Sequence, residues 1–342
     1  MIISFKNDYS EGCHPNILKA MTETNFVQQA GYGDDLYCEQ AAQFIKRKCF
    51  NENLKVYFVA GGTLANLLVI SATLKPYESV ISAETGHINT NETGAIEFTG
   101  YKVNAVATKD GKLSPELIQP TLDTHQNFPH QVKPRMVYIS NSTELGTIYT
   151  KTELQILSKY CKENNLLLFM DGARLGNALT SLENDLSLND ISQLTDVFYI
   201  GGTKNGALFG EAIVVNNPNV LEDLDFHMKQ KGGLMAKGRA LGVQFMTLFE
   251  DHLYFELADH ANQQAMKIKN RMKDLGFSFL SETSTNQNFP ILKNTQIEEL
   301  LKDFQFYVWQ KIDDDYSAIR LITSWATPDE AVASFISKIE SL

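Results

Sequence analysis

Short apolar runs alternate with stretches of helical spacing through the first two-thirds of the chain. Lys55-Val-Tyr-Phe-Val-Ala60 reads as a strand, and Gly61-Gly-Thr then opens a helical run to Leu74. Further strands are expected at Ser79 to Ala83, Tyr101 to Val106, Arg135 to Ser140, Leu166 to Met170, Asp196 to Ile200 and Glu211 to Val215. Thr152 to Asn164 has the spacing of a helix. Near-continuous apolar strands separated by helices predict an α/β chain with a mostly parallel sheet between helical layers.

The pattern changes after residue 240. Ala240 to Leu275 reads as one long amphipathic helix with Gly276 as its stop. Beyond it, Phe277 to Leu280, Phe289 to Leu292, Tyr307 to Trp309 and Ile319 to Thr323 look like strands of a smaller α+β unit. Thr327-Pro-Asp-Glu330 predicts a capping box with proline at the first helical position. The expected division is a large domain over residues 1–250 and a small one over 251–342.

Composition narrows this picture. The chain has 342 residues, 43% of them hydrophobic and 21% charged, which fits a globular protein with a large core. A net charge of -11 argues against nucleic acid as the main partner, because a duplex binder must neutralise phosphates with clustered cations. Cys13, Cys38, Cys49 and Cys161 form no Cys-x-x-Cys pair, so free thiols are expected and neither a disulfide framework nor a metal site. The amino-terminal residues lack the pattern of a secretory leader, and the longest apolar stretch is too short for a bilayer. A cytoplasmic protein without membrane partners is expected.

The candidate chemistry begins at Lys204. It follows the strand at Asp196 directly, in Gly201-Gly-Thr-Lys204. The earlier strand at Leu166 ends in Met170-Asp-Gly-Ala-Arg174. Two strands that deliver a lysine and an aspartate at their carboxyl ends describe a ligand site of an open α/β sheet. That pair is what pyridoxal 5'-phosphate requires, an amine for the Schiff base and a carboxylate for the pyridine nitrogen. Taken singly, each segment is also an ordinary turn. Gly61-Gly-Thr-Leu-Ala-Asn66 opens a helix after a strand and suits one phosphate. Without Gly-x-Gly-x-x-Gly a dinucleotide is not indicated. His87, in Glu84-Thr-Gly-His87, falls on the same rim, where an imidazole stacks on an aromatic ring or accepts a proton. His130 precedes the strand at Arg135 and is a second candidate base, with a surface role as the alternative. Gly31-Tyr-Gly-Asp-Asp-Leu-Tyr37, the basic turn Lys229-Gln-Lys-Gly-Gly233 and Arg320 each have an ordinary loop, surface or structural reading as well.

Together these segments resemble the threonine aldolase branch of the β-eliminating lyase family, within fold type I of the pyridoxal-phosphate enzymes. The resemblance runs from Phe5-Lys-Asn-Asp-Tyr through Tyr32-Gly-Asp-Asp, Gly62-Thr-Leu-Ala-Asn, Glu84-Thr-Gly-His, Asp171-Gly-Ala-Arg and Thr203-Lys-Asn-Gly to Ile319-Arg-Leu-Ile-Thr. It implies that Lys204 is the Schiff-base lysine, that Asp171 holds the pyridine nitrogen and that His87 stacks on the ring. It places Gly62, Thr63 and Thr203 at the phosphate and Arg174 beside the cofactor phenolate and the substrate. Asn7 and Arg320 fall at the substrate carboxylate, with Tyr32 also on the substrate side. The resemblance also implies that Lys229 reaches the phosphate of a neighbouring subunit in a homodimer or homotetramer with shared sites. Asn7 stands where many relatives carry serine, and the Gly232-Gly turn lacks a third glycine.

The implied reaction is retro-aldol cleavage of a β-hydroxy-α-amino acid, led by L-threonine or L-allo-threonine, to glycine and an aldehyde. His87, His130 or a water that they hold is the candidate base. The rivals are a phenylserine-type aldolase, a β-eliminating lyase and a non-catalytic relative that keeps the cofactor.

Overall fold

The computed structural model describes residues 2–217 and 220–342. Met1, where the expectation about a secretory leader begins, lies outside them. A seven-stranded sheet forms the centre. In chain order its strands are β1 (Lys55–Val59), β2 (Glu78–Ala83), β3 (Lys102–Val106), β4 (Lys133–Ser140), β5 (Leu167–Asp171), β6 (Val197–Gly201) and β7 (Glu211–Val215). Their order across the sheet is β1-β7-β6-β5-β4-β2-β3. Only β7 runs against its neighbours, pairing antiparallel with both β1 and β6. The reason is local. Nine residues separate Gly201 from Glu211, too few for the crossover that two parallel neighbours need.

Helices cover both faces over separate apolar cores. The helix Gly62–Thr73 is apolar around most of its circumference and buries Ala65, Leu68, Val69 and Ile70 against one face of the sheet. Each such leucine or isoleucine contributes about 1.5–3 kcal/mol. Helix Lys151–Glu163 begins at Thr150 with the reciprocal bonds between Thr150 and Glu153 that define a capping box.

Three expectations for the last third need correction. The single long helix is two, Arg239–Phe249 and Leu253–Asp274, because the polar run Glu250-Asp-His252 interrupts the apolar stripe. Gly276 does end the second, at φ +83°. Phe277 to Leu280 is not a strand and makes one bridge, from Phe279 to Pro290. The last helix is Asp329–Glu340 with Pro328 as its cap and no side-chain capping bond. Thr327 Oγ1 instead accepts the N–H of Ser324 at 2.7 Å.

A small antiparallel sheet carries Ile291–Lys293, Tyr307–Lys311 and Tyr316–Ile322. Its apolar side packs with Ile268 and Phe335 in a third core, which also takes Phe5. Ile3–Ser4 pairs with Phe304–Gln305, so the amino-terminal segment is tied to the small unit by both backbone and side chain. All four cysteines are free and buried. Among the described residues no helix is long and apolar enough to cross a membrane.

Candidate active site

The carboxyl ends of β1, β2, β4, β5 and β6 meet on one rim, with the amino end of the reversed β7 beside them. Register fixes this, since Val59 and Gly201 both pair with Glu211, and Ser140 pairs with Asp171. The loops leaving these ends enclose a cavity of about 330 Å³. Gly62, Thr63, His87, Asp171, Arg174, Thr203 and Lys204 all line it. Seven of the residues read from the sequence are therefore brought together by the topology of one sheet.

Asp171 closes β5 and is 4% exposed. Its Oδ2 accepts from the Tyr138 hydroxyl at 2.6 Å and the Asn66 amide at 3.1 Å, and its Oδ1 from the N–H of Ala173 at 2.9 Å. Burial alone would raise its pKa, but the Tyr138 and Tyr199 hydroxyls outweigh it and hold the carboxyl below the usual carboxylate range. A permanent anion thus sits at the floor of the cavity. Lys204 feels the opposite balance. Burial and the Arg174 charge lower its pKa against the pull of Asp8, Asp171 and Glu211, which favours the neutral, nucleophilic amine.

His87 begins a short helix after β2. Its Nδ1 lies 2.9 Å from Glu92 Oε1, and the same oxygen accepts from Asn66 Nδ2 at 2.7 Å. Asn66 therefore joins the His87–Glu92 pair to Asp171 through one amide. Arg174 is bound on one side by a partner absent from the expectations. Its Nε and Nη2 donate to Asp8 Oδ2 and Oδ1 at 2.7 and 3.1 Å, while Asn286 donates to Oδ2 at 3.0 Å. Asp8 is wholly buried. Among the described residues only Nη1 of Arg174 is left without a hydrogen-bond partner, so the guanidinium is held by Asp8 before any ligand arrives.

The phosphate-type residues sit at the start of the helix Gly62–Thr73, where Gly61 leaves open space in front of the first amides. A Cβ at Gly62 would lie 3.1 Å from the Tyr199 hydroxyl. Thr203 is less free than expected. Its hydroxyl donates to Glu211 Oε1 at 2.9 Å and accepts the N–H of Gly210 at 2.9 Å. Glu211 Oε2 accepts the N–H of Gly202 at 3.0 Å, and burial pushes its carboxyl up.

Five candidates lie off this wall. His130 is exposed in the loop before β4, at the amino end of that strand and so at the opposite edge of the sheet from Lys204. It precedes its strand whereas His87 follows its own, and that difference decides which rim each reaches. Asn7 turns its Oδ1 onto its own loop, accepting from Tyr9 N–H and the Ser10 hydroxyl. Arg320 stacks on Trp309 and Tyr307, with centroids 4.7 and 5.3 Å away, and its buried Nε has no partner. Tyr32 and Lys229 meet each other, the ammonium 4.5 Å from the ring centroid. Tyr32 lines a separate hollow of about 520 Å³ with Asp34, Asp35, Met228 and Met235.

Sequence reasoning missed Asp8, Asn66, Glu92, Glu144 and Glu211. Two carried a usable signal. Glu144 follows the carboxyl end of β4, so the rule that located Lys204 reaches it, and Glu211 opens β7, whose reversal is implied by its short loop. Asp8 and Asn66 become visible only through contacts distant in sequence, and Glu92 only through the fold that turns it back onto His87.

A lysine and a buried aspartate at adjacent strand ends of a seven-stranded sheet, with a helix start facing them, define the class. The architecture is that of the pyridoxal-phosphate enzymes of fold type I. A Thermus thermophilus aspartate aminotransferase matches it with a TM-score of 0.75 at 14% identity, over 99% of this chain and 91% of that one. The family model described as beta-eliminating lyase matches residues 8–295. A Pseudomonas aeruginosa protein named low specificity L-threonine aldolase is 36% identical over 332 residues, 96% of this chain and 94% of its own. The structure titled as a Leishmania major threonine aldolase superposes with a TM-score of 0.97 at 46% identity, with 99% of each chain covered. The chain belongs to the β-eliminating lyase family, on its threonine aldolase side.

Proposed function

We propose that this chain cleaves β-hydroxy-α-amino acids, with L-threonine and L-allo-threonine as lead substrates, to glycine and an aldehyde. One observation carries the reading. Lys204 and Asp171 line a single cavity in a chain whose whole length is similar to proteins named as threonine aldolases.

The residues present fit pyridoxal 5'-phosphate. Gly62, Thr63 and the first amides of their helix suit the phosphate, and the open space at Gly61 leaves room for it. Asp171, kept anionic by its hydrogen bonds, suits the pyridine nitrogen. His87, fixed by Glu92, suits a ring face, and Lys204 supplies the amine. When bound, the cofactor provides the electron sink that makes cleavage at Cα possible.

The protein's own part is positioning and proton transfer. Arg174, locked to Asp8, keeps Nη1 for an anionic oxygen. Arg320, with an unpartnered buried Nε close enough to feel Asp8 and Tyr9, suits the substrate carboxylate. Lys229 and Tyr32 fit a role at the site of a second subunit, so the active form is a dimer or a larger assembly in the cytoplasm. The small unit, residues 251–342, would carry Arg320 towards the cavity.

The test supplies L-threonine, L-allo-threonine and phenylserine in parallel with L-tyrosine, L-tryptophan and L-serine. Glycine with an aldehyde from the first group supports the reading. Pyruvate and ammonia from the second group, with no glycine from the first, would replace it with β-elimination. Borohydride should fix the cofactor on Lys204.

A further inference from the structure

The retro-aldol reading needs a group to take the proton of the β-hydroxyl, and His130 lies at the wrong end of the sheet. We propose, on the basis of that reading, that the carboxylate of Glu144 is this base and acts through its Oε2.

Glu144 stands in Ser140-Asn-Ser-Thr-Glu144, the loop leaving the carboxyl end of β4, and lines the same cavity as Lys204. Its Oε1 accepts the Ser140 hydroxyl at 2.8 Å and the backbone N–H of His87 at 3.0 Å. These two bonds fix the carboxylate beside the imidazole. Among the described residues no other residue donates to Oε2.

The other acids of the wall differ. Asp171 has Oδ1 on Ala173 and Oδ2 on Tyr138 and Asn66. Glu211 has Oε1 on Thr203 and Oε2 on Gly202. Among the described residues Glu144 is thus the one acid lining the cavity with an oxygen that no other residue binds. The histidine on the wall is tied at Nδ1 to Glu92, which fixes its ring for stacking.

The titratable groups facing Glu144 are Asp171 at the end of β5 and Arg174 after it, His87 after β2, Tyr138 on its own strand and Tyr149 beyond its loop. Burial raises its carboxyl, and Asp171 adds to this, while the Ser140 bond, its own backbone N–H and His87 oppose. The net rise makes it a better proton acceptor near neutrality than a solvated glutamate.

In the step, Oε2 takes the hydroxyl proton. The O–H pair becomes the second bond of the aldehyde carbonyl as the Cα–Cβ bond breaks. The pair left at Cα, which a bound pyridoxal phosphate held at Asp171 would accept as electron sink, is then protonated to give glycine.

The experiment uses the cofactor-loaded Glu144→Gln protein. Glutamine keeps the shape and the Oε1 acceptor for Ser140 and His87 but cannot take a proton. Three readouts are compared with the parent: aldehyde release from threonine, exchange of the glycine α-hydrogen for deuterium followed by NMR, and the absorbance of the bound cofactor. Aldehyde release should fall roughly 100-fold or more, the scale of a lost general base. The acidic limb of its pH profile should vanish. Glycine exchange needs no hydroxyl proton removed, so it should continue at about the parent rate with unaltered absorbance.

Equal loss of cleavage and exchange would overturn the proposal, because Glu144 would then only hold the site together. Undiminished cleavage would also overturn it. So would an acidic limb that survives in Glu144→Gln and disappears in His87→Asn. A parent that exchanges glycine but releases no aldehyde from any β-hydroxy amino acid would instead overturn the functional reading, and this proposal with it.

Discussion

Asp8 and Arg174 show how a single buried pair prepares a site. The guanidinium of Arg174 is 13% exposed and the carboxylate of Asp8 is not exposed at all. Burial alone would push Asp8 up, yet the adjacent Arg174 charge holds it below its ordinary value of 3.8. A carboxyl whose folded pKa is lowered contributes stability that is fully present above the unfolded value. That stability is lost as pH falls from about 3.8 through the folded pKa. Asp8→Asn should therefore destabilise the chain by about 3–5 kcal/mol at pH 7, because it strands a buried cation. The difference between variant and parent should shrink in acid. Urea midpoints measured at neutral pH and near pH 3 check both parts, and a difference independent of pH would mean that the charge of Asp8 is not what matters. Lys204 and Asp171 were readable as single residues because strand ends announce themselves through apolar runs. Asp8 was not, since its partner is 166 positions away and nothing near Asn7-Asp-Tyr9 distinguishes a buried acid from a surface one.

At the scale of elements, the site depends on how tightly the ends of β5 and β6 approach. Gly201 donates its N–H to the Gly172 carbonyl at 2.9 Å. A Cβ on Gly201 would overlap the backbone carbonyl of Ala173, and one on Gly172 would overlap that of Tyr199. Neither obstacle is a side chain that could turn away. Gly201→Ala should push the Asp171 and Lys204 loops apart, lowering the melting temperature and removing cofactor absorbance together. Gly12→Ala, where a Cβ meets nothing within 4 Å, is the control and should melt like the parent. A Gly201→Ala protein with normal stability and normal cofactor retention would show that the two strand ends can separate freely. Six parallel-sheet strands and β7 were legible from apolar runs, with ends displaced by a residue or two. The direction of β7 was implicit in its nine-residue loop. The break at Glu250-Asp-His252 was hidden because helical spacing resumes directly after it. Phe277 to Leu280 has a strand's composition without a partner to ladder against, and pairing is decided by tertiary contacts.

Over the whole molecule, a single chain gathers the cofactor-type residues into one cavity and leaves Tyr32 and Lys229 elsewhere, beside each other. Where those two act was not legible in the sequence, because their segments have ordinary loop and surface readings and a role at a neighbour's site would need a second chain. If they complete a neighbour's site, mixing Lys204→Ala subunits with subunits altered at Lys229 and Tyr32 should restore part of the activity. One site in each mixed pair then has every residue. Activity that stays absent at all mixing ratios, in a preparation shown to exchange subunits, would refute shared sites.

The separation of Lys229 from Lys204 also has a consequence in mass action. If the site is built from two chains, it exists only in the associated fraction, and turnover per chain becomes a binding isotherm for assembly. Dilution below the association constant's midpoint should lower specific activity without any change in the folded state of the subunit. A ligand that binds only the complete site would shift that midpoint downward, since binding to one form of a protein draws the equilibrium towards it. Substrate would then act as an assembly factor, and the enzyme would be most sensitive to its own concentration when substrate is scarce.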